Sequence, residues 1–116
     1  MVSAESIAYE KALAFAKRIV GLCQHLNAEH REYVLSKQIL RSGTSIGANI
    51  AEARCGSSRK DFAAKIYIAL KECSETLYWL ELLHITDYLS GDEYASLYND
   101  CEVLRRMLSS TTKSVR

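Results

Sequence analysis

Residues 36–52 read SKQILRSGTSIGANIAE. Small and apolar side chains recur here every three or four residues, at Leu35, Ile39, Ser42, Gly43, Ile46 and Ile50. This spacing predicts an amphipathic α-helix over residues 30–54. Gly43, Gly47 and Ala51 are spaced by four, and a glycine inside a helix costs about 0.5–1 kcal/mol relative to alanine. We therefore expect that another helix approaches this one closely at its glycines.

Three further amphipathic helices are predicted, over residues 4–26, 59–85 and 91–112. The last is the best defined, because Ser90 and Glu93 form a capping box ahead of a heptad-like apolar seam. The turn between the first two helices is expected at residues 27–29.

The connections favour one architecture. The chain has no proline and only five glycines, so nothing interrupts the helices and few turns are available for a β-rich fold. Short connections make successive helices antiparallel. The sequence therefore predicts an all-α, antiparallel up-down-up-down four-helix bundle, as a single domain over residues 1–116.

Charge is balanced overall but unevenly distributed. The 116 residues carry a net charge of +1, which argues against nucleic-acid binding by bulk charge alone. Residues 31–60, however, carry six basic residues against two acidic ones, whereas residues 61–104 carry two basic residues against nine acidic ones. Complementary segments of this kind steer association. We expect that the basic second-helix region and the acidic third-helix region of neighbouring copies meet head to tail.

The chain is expected to be cytoplasmic and reduced. Its four cysteines show no two-residue spacing of a zinc or redox motif and are interpreted as small buried hydrophobes. The N-terminal residues lack the basic and apolar segments of a signal peptide. No uncharged stretch approaches the roughly 20 residues that span a bilayer, so no membrane association is expected.

The third predicted helix is apolar on more than one side. Beyond its core stripe, it carries large apolar residues on both flanks, at Tyr67, Ile68, Tyr78, Trp79, Leu82 and Leu83. A helix that is apolar nearly all round is buried on several sides. The economical partner is a second copy of the chain, so these residues are candidate contacts in a homo-oligomer.

No residue pattern indicates catalysis, a metal or a cofactor. Glu72 and Glu75 are three apart, but the chain has no Glu-x-x-His, which di-iron bundles require. The glycines form no phosphate loop, and no serine lies in a Gly-x-Ser-x-Gly elbow. We therefore predict a protein that is not an enzyme, with no catalytic, cofactor-binding or metal-ligating residues.

One polar constellation lies beside the apolar stripe of the second helix. At 3.6 residues per turn it falls within an arc of about 80°, and its members are Gln38, Arg41, Ser45, Asn49 and Glu52. The favoured interpretation is a polar ridge that fixes the register between helices or subunits, so that Arg41→Ala and Asn49→Ala lower stability or assembly. The alternative is a ligand or nucleic-acid contact site, with Arg41 on a phosphate and Asn49 on a base edge.

The same stretch carries a family resemblance. Residues 36–52 resemble the signature Ser-x-Gln-Ile-x-Arg-(small)-x-x-Ser-Ile-x-x-Asn-Ile-Ala-Glu of a bacterial four-helix-bundle family. That family includes proteins encoded in intervening sequences of 23S ribosomal RNA genes. Ala53 stands where family members usually have glycine. The resemblance implies a ring-like homopentamer of four-helix bundles.

The accessory proteins of diversity-generating retroelements look like more distant relatives. They bind a reverse transcriptase and nucleic acid through a strongly basic surface, which this chain lacks.

Two function classes follow. The first is a non-catalytic oligomeric scaffold or adaptor, which the apolar third helix favours. The second is an RNA- or ribosome-associated protein, which the family's genomic context and the basic residues 31–60 favour. The partners expected are further copies of the chain and, in the second class, RNA or a nucleic-acid-bound protein.

Overall fold

The computed structural model describes residues 3–114 of the chain. Four α-helices account for 88% of these residues, and none of them forms a strand. The helices are α1 (Ala4–His30), α2 (Val34–Arg54), α3 (Arg59–Ile85) and α4 (Gly91–Ser114). The predicted all-α fold is confirmed. The first two and last two residues of the predicted domain lie outside the described range.

Serine side chains cap three of the helices. The Ser3, Ser58 and Ser90 hydroxyl oxygens accept hydrogen bonds from the backbone N–H three residues later, at 3.0–3.2 Å. Each bond satisfies a donor that the first turn of a helix leaves free. These caps explain why three of the helices begin where the sequence predicts.

The turn between α1 and α2 lies later than predicted. α1 continues through residues 27–29 to His30, and Arg31 then reverses the chain in the left-handed conformation, with φ of 50°. The Glu32 carboxylate accepts from the backbone N–H groups of Val34, Leu35 and Ser36, at 2.8–3.1 Å. Residues 27–29 carry no helix-stopping glycine or proline, so the glutamate that binds the open end of α2 sets the boundary.

The helices form a square in chain order. Each helix packs against the next, α1 closes on α4 over a shorter stretch, and the diagonal pairs make no close backbone contact in the described residues. The bundle is 44 Å long and 23 by 21 Å across. Its largest fully buried side chains include Phe15, Ile19, Ile46, Ile66, Leu80 and Leu104. Among residues 3–114, no helix combines the length and apolar character needed to cross a bilayer.

α1 and α2 pack closely at the predicted glycines. A Cβ built on Gly43 would lie 3.0 Å from Cγ1 and 3.1 Å from Cγ2 of Ile19, which is fully buried. At Gly47 the nearest atom is the Ala12 Cβ, at an ordinary 3.5 Å. A methyl group at Gly43 would therefore need Ile19 to give way by a few tenths of an ångström, whereas Gly47 has room for one.

Candidate functional site

The densest group of charged side chains joins α2 to α3. The Arg41 guanidinium donates from Nη1 to Glu72 Oε2 at 2.8 Å and from Nη2 to Glu75 Oε2. The Trp79 indole N–H donates to the same Glu75 oxygen at 2.9 Å. Arg41 thus lies between two carboxylates one helical turn apart, and Glu75 receives two donors at one atom.

This geometry shifts the acid–base equilibria of the group. The Trp79 hydrogen bond, followed by that of Arg41, holds the pKa of Glu75 below its ordinary value. The hydrogen bond to Glu75 raises the pKa of Arg41. Each charged form is therefore favoured by its partners. A carboxylate stabilised in this way is a weak base, so the group is suited to holding helices together rather than to proton transfer.

A second polar contact lies inside the core, beside this group. The hydroxyl oxygens of Ser42 and Thr76 lie 2.9 Å apart, and both residues are fully buried. Thr76 Oγ1 also lies 2.8 Å from the Glu72 carbonyl oxygen. A buried hydrogen bond of this kind favours one axial position of α2 against α3, because sliding either helix would break it. Each hydroxyl would then have only a carbonyl oxygen of its own helix, which for Ser42 is that of Ile39 at 3.5 Å.

The predicted ridge is less buried than the sequence analysis assumed. The Arg41 side chain is 51% exposed, and Gln38 and Glu52 are also exposed. Ser45 and Asn49 are half-buried and bond to the backbone of their own helix, at the carbonyls of Arg41 and Ser45, respectively. The five residues therefore form no mutual side-chain network.

Two of the ridge residues reach α3. Arg41 does so through Glu72 and Glu75, and Glu52 accepts from Lys65 Nζ at 3.1 Å. From the sequence, Glu72 and Glu75 were weighed only as metal ligands, and Thr76 was not singled out. All three residues lie on the flank of α3 beside its core stripe, and this position could have identified them as contacts to a neighbouring helix. Part of the charge that was expected to join neighbouring copies is thus paired within one chain.

The outward surface of α3 carries most of the predicted oligomer contacts. Tyr67 and Tyr78 are 58% and 57% exposed, and Ile68 is also exposed. Trp79 and Leu82 are half-buried. Leu83, by contrast, is fully buried in the core of its own chain. Leu83 therefore does not lie on the surface of the single chain where an oligomer contact was expected, because α3 turns this side chain into the core.

Several of these side chains form a stripe that we call the α3 face. It consists of Tyr67, Lys71, Ser74, Tyr78, Leu82 and Ile85, at steps of three and four residues. Ile85, which the sequence analysis did not single out, is 67% exposed. In contrast, α4 has no exposed large apolar residue among its described positions. The exposed apolar side chains are therefore unevenly distributed over the four helices.

Comparison with known proteins places the chain in a family. Residues 4–110 match the family described as 23S rRNA-intervening sequence protein. The chain belongs to this family. The match covers all four helices, including the ridge on α2 and the α3 face. No protein of curated function shows significant similarity to the chain.

A solved structure of a protein with a related family description has the same fold. It is a protein with unknown function from the S23 ribosomal protein family of Bacteroides thetaiotaomicron VPI-5482. The two chains are 50% identical over 96% of this chain and 99% of that one, with a TM-score of 0.94. The similarity extends over the whole bundle and assigns no activity.

The described residues contain no candidate metal site. Within residues 3–114, no group of three or more His, Cys, Asp or Glu side chains is arranged to hold a metal ion. The cysteines that the sequence analysis interpreted as buried are so at Cys23, Cys73 and Cys101, while Cys55 is exposed in the turn before α3. Burial raises the pKa of the Cys23 thiol to about 11, which makes it unreactive.

Proposed function

We propose that this protein is a non-catalytic, homo-oligomeric scaffold of four-helix bundles. The observation that carries the proposal is the α3 face, an apolar stripe with two tyrosines that are more than half exposed in the single chain. Five copies are expected because of the family resemblance alone. The likeness to retroelement accessory proteins remains a prediction.

The size of the α3 face fits a surface that contacts another molecule. Taking about 200 Å² for a whole large side chain, its apolar residues together with Ile68 and Trp79 expose on the order of 500 Å². The largest apolar patch of an ordinary monomer is roughly 300–600 Å² and is often functional. An interface in a stable complex buries about 800 Å² on each partner. The face thus supplies most of one side of an interface.

The polar groups of the site support a structural role rather than catalysis. Glu72 and Glu75 are engaged by Arg41, and the pKa of Glu75 is lowered rather than raised. A general base that works near neutral pH needs the opposite shift. The two carboxylates therefore serve better as fixed ion-pair partners than as proton acceptors.

The experiment replaces one exposed tyrosine on the α3 face and a matched one elsewhere. Tyr67→Asp places a carboxylate at the N-terminal end of the α3 face, whereas Tyr33→Asp changes a tyrosine of similar exposure in the turn between α1 and α2. We expect that light scattering finds a smaller assembly for Tyr67→Asp and the wild-type mass for Tyr33→Asp. Equal masses for all three proteins would contradict the proposal.

The same approach can also test the alternative function, RNA binding. An electrophoretic shift with 23S ribosomal RNA at two salt concentrations measures it, because phosphate contacts impose a steep salt dependence. The scaffold proposal expects no salt-dependent shift of the wild-type protein. A shift that is lost in a Lys37→Ala/Arg41→Ala variant of unchanged mass would favour an RNA-associated function instead.

A further inference from the structure

A second exposed stripe, with two apolar and two charged side chains, lies on the opposite corner of the bundle. It consists of Glu10, Leu13, Lys17 and Val20 on α1, which follow one another at steps of three and four residues. Leu13 is 57% exposed, and Val20 is also exposed. Together with Ala14 and Ala16 these residues line a shallow depression, which we call the α1 face. α1 and α3 are diagonal in the square and make no close backbone contact.

We propose that the α3 face of one copy packs on the α1 face of the next copy. This inference rests on the proposed oligomeric function and assigns its two surfaces. An interface between two different surfaces of the same chain is heterologous, and repeated copies close a ring when the rotation allows it. Two faces on opposite corners meet this requirement, since a chain can use both at once.

The shapes of the two faces are complementary. The α3 face projects bulky side chains, Tyr67 and Tyr78, which stand about three turns apart. The α1 face is a shallow depression whose lining includes the small Ala14 and Ala16 beside Leu13, Lys17 and Val20. A bulky stripe packs well into a hollow one, whereas two copies of the α3 face would oppose tyrosine to tyrosine without a hollow.

The charges are complementary too. Lys71 lies in the α3 face between the two tyrosines, and Glu10 borders the α1 face. Both side chains are exposed, and neither takes part in an ion pair within residues 3–114. The α1 face also contains Lys17, so the match consists of one opposite pair, Glu10 with Lys71, which favours this pairing of faces.

Mixing two blocked variants tests the assignment. Leu13→Asp disables the α1 face, and Tyr67→Asp disables the α3 face. Each variant keeps one intact face, so we expect that each alone remains at the 13.1 kDa of one chain. A one-to-one mixture should then form a complex of twice that mass and no larger one, because the only two intact faces meet once.

Several outcomes overturn the proposal while leaving the oligomer intact. One is a Leu13→Asp variant that keeps the wild-type mass, and another is a mixture that remains monomeric. A wild-type protein of 13.1 kDa would instead overturn the proposed function itself. Circular dichroism confirms that each variant is folded. If Leu13→Asp is unfolded, Val20→Asp replaces it, and Tyr78→Asp replaces Tyr67→Asp in the same way. Tyr33→Asp is the exposed control and should keep the wild-type mass.

Discussion

The two sides of α2 use different chemistry to hold their neighbours. Toward α1 the contact at mid-helix is apolar and close, since a Cβ added at Gly43 would lie 3.0 Å from the buried Ile19. Hydrogen bonds to α1 occur near the start of α2, where Ser36 contacts Asn27 and Cys23. Toward α3 polar contacts lie at mid-helix, with the Ser42–Thr76 hydrogen bond inside and Arg41 between two carboxylates outside. The contact at Gly43 limits the distance between α1 and α2, whereas the polar contacts favour one axial register of α2 against α3.

The comparison also shows which surfaces remain for other molecules. Both sides of α2 are occupied by helices of the same chain, and the charges of Arg41 and Glu52 are paired there. The exposed apolar side chains include those of the α3 face and the α1 face, on opposite corners of the bundle, as well as Tyr33, Val34 and Leu40 in and before α2. Arg41 and Glu52 of the polar ridge therefore bind α3 of the same chain while staying partly exposed, and the proposed assembly uses the outer faces.

Enlarging Gly43 should have the largest effect on the bundle. Gly43→Val inserts branched carbon atoms where even a Cβ would lie 3.0 Å from Ile19. Because Ile19 is fully buried and β-branched, it has little room to move. We expect a loss of about 2–3 kcal/mol in the free energy of unfolding, measured by urea denaturation. A loss below about 0.5 kcal/mol would show that the contact is not close.

Removing one hydroxyl from the core should have the next largest effect. Thr76→Val keeps the shape of the side chain but leaves the buried Ser42 hydroxyl without its 2.9 Å partner. We expect a loss of about 1–2 kcal/mol. The double variant Ser42→Ala/Thr76→Val removes both partners, and it should be more stable than the sum of the two single losses predicts. Strict additivity in this cycle would contradict the register role of the pair.

The second glycine of α2 should respond in the opposite direction to the first. At Gly47 an added Cβ meets only ordinary contacts, the nearest at 3.5 Å. Gly47→Ala therefore gains helix stability without a clash, and we expect that the free energy of unfolding rises by about 0.5–1 kcal/mol. Thermal melts of this variant beside Gly43→Ala provide the matched comparison, in which the Gly43 variant gains less or loses stability.

The exposed ion pairs of the polar side should have the smallest effect. Arg41 is half exposed, so Arg41→Ala should cost below about 1 kcal/mol rather than the larger loss expected for a buried group. The folded state holds the pKa of Glu75 below its ordinary 4.5, so the stabilisation is complete above pH 4.5 and is lost as the pH falls further. Melts at pH 7 and pH 3 should show a difference from wild type that shrinks in acid; a constant difference would contradict this account.

Much of the fold could be predicted from the sequence, because it depends on local signals. Serine caps and three- and four-residue spacing fixed the bounds of α3 and the starts of α1 and α4. The turn at Arg31 could not be predicted, since it depends on the Glu32 carboxylate reaching three N–H groups of the next helix. No standard cap pattern identifies a glutamate in that role.

The site was predictable only in part, for a geometric reason. Helical spacing shows which residues share a side of a helix, so the ridge on α2 and the outward tyrosines of α3 could be identified. It does not show how deep that side lies, and Arg41 is therefore more exposed, and Leu83 more buried, than expected. The partners of Arg41 depend on the register between α2 and α3, which arises from packing across the bundle.

The solution mass of the wild-type protein tests the central claim most directly. Light scattering at micromolar concentration should give a multiple of the 13.1 kDa chain, five-fold if the family resemblance holds. A mass of 13.1 kDa would mean that the α3 face is stable in water without a second copy, and it would contradict the proposed scaffold.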